Sequence, residues 1–413
     1  ISGDTVTLNT GGATGSFATA TVGTGKTVTV SGMTIGGADS GNYTLTQPTT
    51  TANITAATLT VTGITASNKT YDRLTAATLN TGSAALSGVI SGDTVTLNTG
   101  SATGSFATAT VGTGKTVTVA GLTIGGADSG NYTLTQPTTT ANITAATLTV
   151  TGITASNKTY DRTTTATLNT GSAALSGVIS GDTVTLNTGS ATGAFGTATI
   201  GTGKTVSVGG LTIGGADAGN YTFTQPTTTA NITSKALTVS GITASNKTYD
   251  RTTTATIDTG TASLVGVVAG DTVTLSTAGS TGSFATATIG TSKTVTIAAL
   301  TIGGADSGNY TLTQPTTTAD ITAKVLTVSG ITASNKTYDR TTSATIDTTS
   351  ATLNGVVAGD TVTLGTGTAT GSFATATVGT GKTVTIAGLT IGGADSGNYT
   401  LTQPTTTANI TAK

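Results

Sequence analysis

The chain has no cysteine, histidine, tryptophan or glutamate, and only one methionine and five prolines in 413 residues. Without Cys or His it can build no thiolate or imidazole metal site, no thiol nucleophile, no disulfide and no histidine base. Charge is scarce as well: Asp supplies all 17 acidic groups, Lys and Arg supply 16, and the formal net charge is −1. The cations are spread among the Asp, which argues against nucleic acid as a partner and against an anionic membrane. No apolar run is long enough to insert into a bilayer, and no leader peptide is visible. Nothing in this inventory suggests an enzyme.

What the chain does have is 116 threonines and 58 glycines, arranged in a strict repeat. The segment ASNKTYDR places Tyr71, Tyr160, Tyr249 and Tyr338 at intervals of 89 residues. GGAD(S/A)GNYT places Tyr43, Tyr132, Tyr221, Tyr310 and Tyr399 at the same interval. Phe17, Phe106, Phe195, Phe284 and Phe373 share a third phase. Residues 58–146 and 147–235 match at 78 of 89 positions, without insertions. The expected domains are a partial repeat at 1–57 and whole repeats at 58–146, 147–235, 236–324 and 325–413. Starting inside a repeat and stopping on a boundary, the chain reads as a segment of a longer array.

One repeat, 147–235, shows how the fold is encoded. Leu148 and Val150 alternate with Thr147, Thr149 and Thr151, the period of a half-buried strand. Further extended stretches are predicted at 159–168, 183–186, 195–200, 204–208, 211–213, 221–224 and 228–232. Gly201-Thr-Gly203 reads as a hairpin turn, and 216–220 as a loop of residues that favour turns. Thr and Gly are poor helix formers, and no apolar stripe of helical period persists. The prediction is all-β: tandem immunoglobulin-like β-sandwich repeats in an extended rod, with a continuous β-solenoid as the alternative. Asn142-Ile-Thr-Ala-Ala-Thr-Leu148 crosses a repeat border without a Gly, Ser or Pro spacer, so little interdomain motion is expected.

Candidate sites are few. Asp161, Asp182 and Asp217 recur at fixed phases, and each reads as a turn cap; a calcium site is the alternative, since oxygen ligands alone suffice. No other cofactor is indicated. Lys158 reads as a solvated charge at a strand edge, the alternative being an amide crosslink to an Asn. Gly201-Thr-Gly-Lys204-Thr205 lacks the spacing and the helix of a phosphate loop. Asn157, Asn220 and Asn231 open Asn-x-Thr triplets, which are glycan acceptors only on a glycosylating export route. The T-x-T runs line up hydroxyls on one strand face, which would also suit an ice-binding surface. Near-zero net charge permits side-by-side packing of chains, so copies of the chain itself are expected partners.

The segments LTVSGITASNKTYDRTTTATID, GVVAGDTVTL, GSFATATIGTSKTVTI and LTIGGADSGNYTLTQPTTTADIT closely resemble the YDG/MBG repeats of large bacterial surface proteins of the filamentous-haemagglutinin and adhesin type. The landmarks carrying the resemblance are Tyr71-Asp72, Tyr160-Asp161, Tyr249-Asp250 and Tyr338-Asp339, then Phe106, Phe195, Phe284 and Phe373, and Tyr132, Tyr221, Tyr310 and Tyr399. The family pattern is K-x-Y-D-G, and Arg73, Arg162, Arg251 and Arg340 stand where Gly is usual. The resemblance implies a cell-surface or extracellular location and a spacer role, as a structural stalk or fibre segment of an adhesin. The alternative is a set of weak glycan- or polymer-binding repeats that gain through avidity.

Overall fold

The computed structural model describes all 413 residues. It contains short strands and five single-turn 3-10 segments, with no α-helix. The chain divides into two compact units. One comprises Ile1–Ala155, Thr167–Gly193 and Ser207–Thr228; the other comprises Ser156–Ala166, Ala194–Val206 and Thr229–Lys413.

In the first unit, residues 58–146 show the complete plan. Strand Gly112–Ala120 is the spine: it pairs antiparallel with Thr103–Phe106 on one side and with Thr138–Thr144 on the other. Two-residue strands Ala76–Ala77 and Lys69–Thr70 close the edges and complete a five-stranded sheet. The second sheet places Ala57–Thr62 between Ala85–Ser87, antiparallel, and Tyr132–Leu134, parallel. Apart from Ala57, which lies one residue before the border, every one of these pairings stays within a single repeat, which separates the fold from a continuous solenoid. The same two sheets recur in the second unit at 236–324 and at 325–413.

Alternation drives this plan. Along Gly112–Ala120, Val117 and Val119 are completely buried while Thr116 and Thr118 face solvent. Along Ala57–Thr62, Leu59 and Val61 point inward and the three Thr point out. Val61 from the second sheet and Val119 from the first meet in one core cluster with Leu122. The abundant Thr are therefore mostly the outer half of half-buried strands, where β-branching favours the extended backbone.

Three local expectations are corrected. The stretch predicted as continuous at 159–168 is broken, because Arg162 adopts φ 68 between strands Lys158–Thr159 and Thr165–Ala166. The strand placed at 195–200 instead occupies Thr192–Phe195, ending on the Phe rather than beginning there. The hairpin predicted at 201–203 is the start of one nine-residue strand, Gly201–Gly209. In the neighbouring repeats this place is a bulge, with the register shifting between Gly112 and Lys115 and between Gly290 and Lys293. Short strands at Thr154–Ala155 and Ala174–Ser176 carry too little periodicity to be seen in sequence.

One glycine position shows how tightly the turns are built. A Cβ on Gly121 would lie 2.2 Å from the Ser101 carbonyl oxygen, and the same approach recurs at Gly210 and Gly388. Residues 236–324 have Ala299 at this position, with φ 62, and the facing residue is Gly279, with φ 77. The glycine has moved to the other side of the contact.

Candidate functional site

Each whole repeat carries a Lys-Thr-Tyr-Asp-Arg segment within its first fifth. In residues 58–146, Lys69–Thr70 runs parallel to Ile143–Thr144, and the Tyr71 N–H donates to the Thr144 carbonyl at 2.8 Å. The ring is thereby carried to the end of its own repeat, where the last strand gives way to the first strand of the next. Only Ala145 separates Thr138–Thr144 from Ala146–Thr151.

Asp182 of the following repeat receives it. The Tyr71 hydroxyl donates to Asp182 Oδ2 at 2.9 Å, and Tyr221 donates to the same oxygen at 2.6 Å. The Ile179 N–H in turn donates to the Tyr221 hydroxyl at 2.9 Å. The two rings meet edge to face, with centroids 5.5 Å apart. Arg73 completes the group: its Nε lies 3.2 Å from Asp182 Oδ1, and its Nη1 donates to the Ser180 carbonyl at 3.0 Å. The Asp182 side chain is 1% exposed and that of Arg73 is 52% exposed. Oδ1 has no hydrogen bond of normal geometry, so its compensation is the charge of the guanidinium. A buried carboxylate of this kind is tolerable only while that charge and both phenols remain in place.

The landmark Gly-Asp now has a cause. A Cβ on Gly181, at φ 92, would fall 1.7 Å from Arg73 Nη1. The departure from the family's K-x-Y-D-G pattern has one too. Arg73, Arg162, Arg251 and Arg340 all sit at φ 68 or 69, the left-handed region that glycine enters freely. Arg340 holds that φ without an ion pair, so the turn itself imposes it. Elsewhere the side chain, unlike glycine, returns a contact across the joint.

Apolar packing crosses the same boundary. Phe106, Val117 and Ile143 of one repeat form a single buried cluster with Leu148 and Tyr221 of the next. The Val111 N–H donates to Asn220 Oδ1 at 3.0 Å. The second unit has two equivalent joints. Tyr249 and Tyr399 donate to Asp360 Oδ2 at 2.9 and 2.6 Å, with Arg251 Nε 3.1 Å from Oδ1. Tyr310 donates to Asp271 at 2.6 Å, Arg162 Nε lies 3.0 Å from it, and Tyr160 packs edge-on against Tyr310. Burial first, then the hydrogen bond to the Asp, pushes Tyr71, Tyr160 and Tyr249 up to about 12. Tyr221, Tyr310 and Tyr399 are raised for the same reasons.

Residues 1–57 contain no such Tyr-Asp-Arg segment. Asp93 holds Tyr132 at 2.5 Å, and a cavity of about 280 Å³ lies beside it. Its walls include Val22, Ile54, Ala57 and Ile90, the counterparts of Val111, Ile143, Ala146 and Ile179, which pack around Tyr71.

The other candidates separate cleanly. Asp161 is a turn cap: Oδ1 accepts the Thr163 N–H and hydroxyl at 2.9 and 2.8 Å, with Lys158 Nζ at 2.6 Å. Burial pushes its carboxyl up, but Lys158 and Thr163 outweigh this and hold it below the usual range. Asp72, Asp250 and Asp339 repeat the motif, and Lys336 above all brings Asp339 to about 2. Lys158 is not the solvated edge charge expected from sequence. Its side chain is 17% exposed and also donates to the Thr163 and Thr165 carbonyls. Asp182, expected as a turn cap, is the centre of the joint. Asp217 accepts the Thr183 N–H at 2.8 Å, across the fold rather than within its own turn. No three carboxylates converge.

Lys204 lies along a strand and donates to the Thr197 hydroxyl at 2.7 Å. The triplet asparagines are all engaged: Asn157 accepts from the Asn231 N–H, Asn231 from Gly203, and Asn220 from Val111. Phe106, Phe195, Phe284 and Phe373 are buried, as are Tyr132, Tyr221, Tyr310 and Tyr399; Tyr338 is 37% exposed. No helix is long and apolar enough to cross a membrane.

A family model described as "YDG domain" matches residues 1–52, 55–141, 144–230, 233–319 and 322–408. None of the curated proteins matches the chain. Among solved structures, the crystal structure of Drosophila N-cadherin EC1-4 is similar over 72% of this chain and 83% of that one, at 8% identity. Its TM-score of 0.20 carries no argument about fold or role.

Proposed function

The chain belongs to the YDG domain family, and on that premise we propose that it is a non-enzymatic stalk or fibre segment of a secreted bacterial adhesin or extracellular filament. It is a tandem array of β-domains, and its work is to hold a distal region away from the cell surface. Its partners are neighbouring repeats and further copies of itself. The observation that carries this reading is the joint. A single residue connects the last strand of one repeat to the first of the next at Ala145 and at Ala323. At the same places a buried Asp ties together groups from both repeats. A linker this short, clamped by an ion pair, two phenols and a shared apolar cluster, opposes bending where a Gly/Ser linker would permit it.

Small-angle scattering and single-molecule imaging of chains with two, three and five repeats test the proposal. A stalk requires end-to-end length proportional to repeat number, on the order of 40 Å per repeat from strand dimensions. Length growing as the square root of repeat number would overturn it.

A further inference from the structure

The tyrosines that meet across each joint are placed for a reaction as well as for packing. In a chain with no Cys and no Trp, and with a single Met, tyrosine is the dominant oxidisable side chain. Three pairs bring ring centroids to 5.5, 5.4 and 5.4 Å: Tyr71 with Tyr221, Tyr160 with Tyr310, and Tyr249 with Tyr399. In two of them both hydroxyls donate to one carboxylate oxygen, at 2.9 and 2.6 Å. The shared acceptor holds the two hydroxyls near one another, and the rings meet edge to face at interplanar angles of 78°, 76° and 77°, so a rotation of one ring is enough to bring carbons beside the two oxygens together. The shared carboxylate is also a base already bonded to both phenolic protons.

We propose that these three pairs are oxidative modification sites at which successive repeats become joined through dityrosine. The co-reactant is a one-electron oxidant, such as a photogenerated ruthenium(III) complex or the ferryl haem of a peroxidase. Each phenol gives one electron to the oxidant and its proton to the Asp carboxylate, which passes it to solvent. The two radicals combine, forming one carbon–carbon bond between the ring positions beside the oxygens. The hydrogens displaced from those carbons move to the oxygens and restore both phenols. Per pair, two electrons and two protons leave and two oxidant equivalents are reduced. The rings are buried, so the electron crosses a short protein layer and the oxidant need not touch them. The product is a covalent staple across each joint in a chain that can form no disulfide.

Photo-oxidation of dilute protein, followed by trypsin and mass spectrometry, tests this. Cleavage gives the same peptide, Thr-Tyr-Asp-Arg, from around Tyr71, Tyr160, Tyr249 and Tyr338. Tyr132, Tyr221, Tyr310 and Tyr399 fall in the long peptides 116–158, 205–235, 294–324 and 383–413. The expected result is the short peptide linked to 205–235, 294–324 and 383–413, each product lighter than its parts by two hydrogen atoms. Peptide 116–158 should stay linear, because Tyr132 has no second ring beside it. Tyr160→Phe should abolish the link to 294–324 and leave the other two. The proposal is overturned if the three long peptides stay linear, if 116–158 links equally well, or if 294–324 still links in Tyr160→Phe.

Discussion

Arg73 reaches forward from one repeat to within 3.2 Å of Asp182 in the next, and it does so from a left-handed backbone position. The two residues are unequal partners. Asp182 is buried and bonded by two phenols, whereas half of Arg73 lies in solvent. Asp182→Ala removes the buried charge itself and should cost about 1–3 kcal/mol for each buried phenol left without its acceptor. Tyr71→Phe should cost about 1.5–3 kcal/mol, the range for a hydrogen bond to a charged group. Arg73→Gly should also destabilise the joint, by somewhat less than about 3–5 kcal/mol, because it strips the buried carboxylate of its countercharge while relieving a left-handed backbone position. Amide exchange at Ile179 and Tyr71 reads each effect, with Val357 and Tyr249, in the joint around Asp360, as the internal reference.

The joints should also fail in alkali. Tyr71, Tyr160 and Tyr249 have folded values raised from 10.0 to about 12. Their folded states hold the phenolic proton more tightly than the unfolded chain does. Stability from this source is complete below pH 10, falls as pH rises from there, and is gone above about 12. Urea midpoints measured from pH 9 to 12 should fall across that window. The fall should be shallower in a chain carrying Phe at all three positions.

Gly279 and Ala299 form a compensating pair. Restoring Ser at 279 while Ala299 remains should force one of the two residues into strain, destabilising the repeat by about 1–3 kcal/mol. Adding Ala299→Gly recreates the arrangement of Ser101 with Gly121, and stability should return to near its starting value. The double-mutant cycle should therefore show a large favourable coupling, and additive single effects would contradict the pairing.

Lysine reactivity offers a fourth check. Lys115, Lys204, Lys293 and Lys382 donate to Thr hydroxyls of a neighbouring loop, and Lys69, Lys158, Lys247 and Lys336 are paired with Asp. Lys235, Lys324 and Lys413 have no such ties. Brief labelling with an amine-acylating reagent should modify these three first, as peptide mass spectrometry would show.

Most of the fold was legible because the strands are half-buried and Thr marks their outer face so regularly. Leu148 and Val150, and the loop before Tyr221, lie where the alternation and the turn residues put them. The bulge before Lys115 and Lys293 was not legible. Gly-Thr-Gly serves a bulge and a hairpin equally well, and only the register of the partner strand distinguishes them. The joint was invisible for a different reason. Every landmark recurs at the same spacing, so Tyr71 is as well matched to Asp93 of its own repeat as to Asp182 of the next. Periodicity identifies the members of a contact and is silent on which copies meet. The arginine in place of glycine was the one available signal, since a long charged side chain stands at a turn that glycine would fill without strain.

That each joint draws its tyrosine and arginine from the earlier repeat and its aspartate from the later one has a hereditary consequence. Duplication or loss of a whole number of 89-residue stretches, wherever the exchange begins, leaves every donor facing an acceptor of the same kind. The gene can thus lengthen or shorten the protein by recombination between its own near-identical segments, with no second mutation needed to repair the seam.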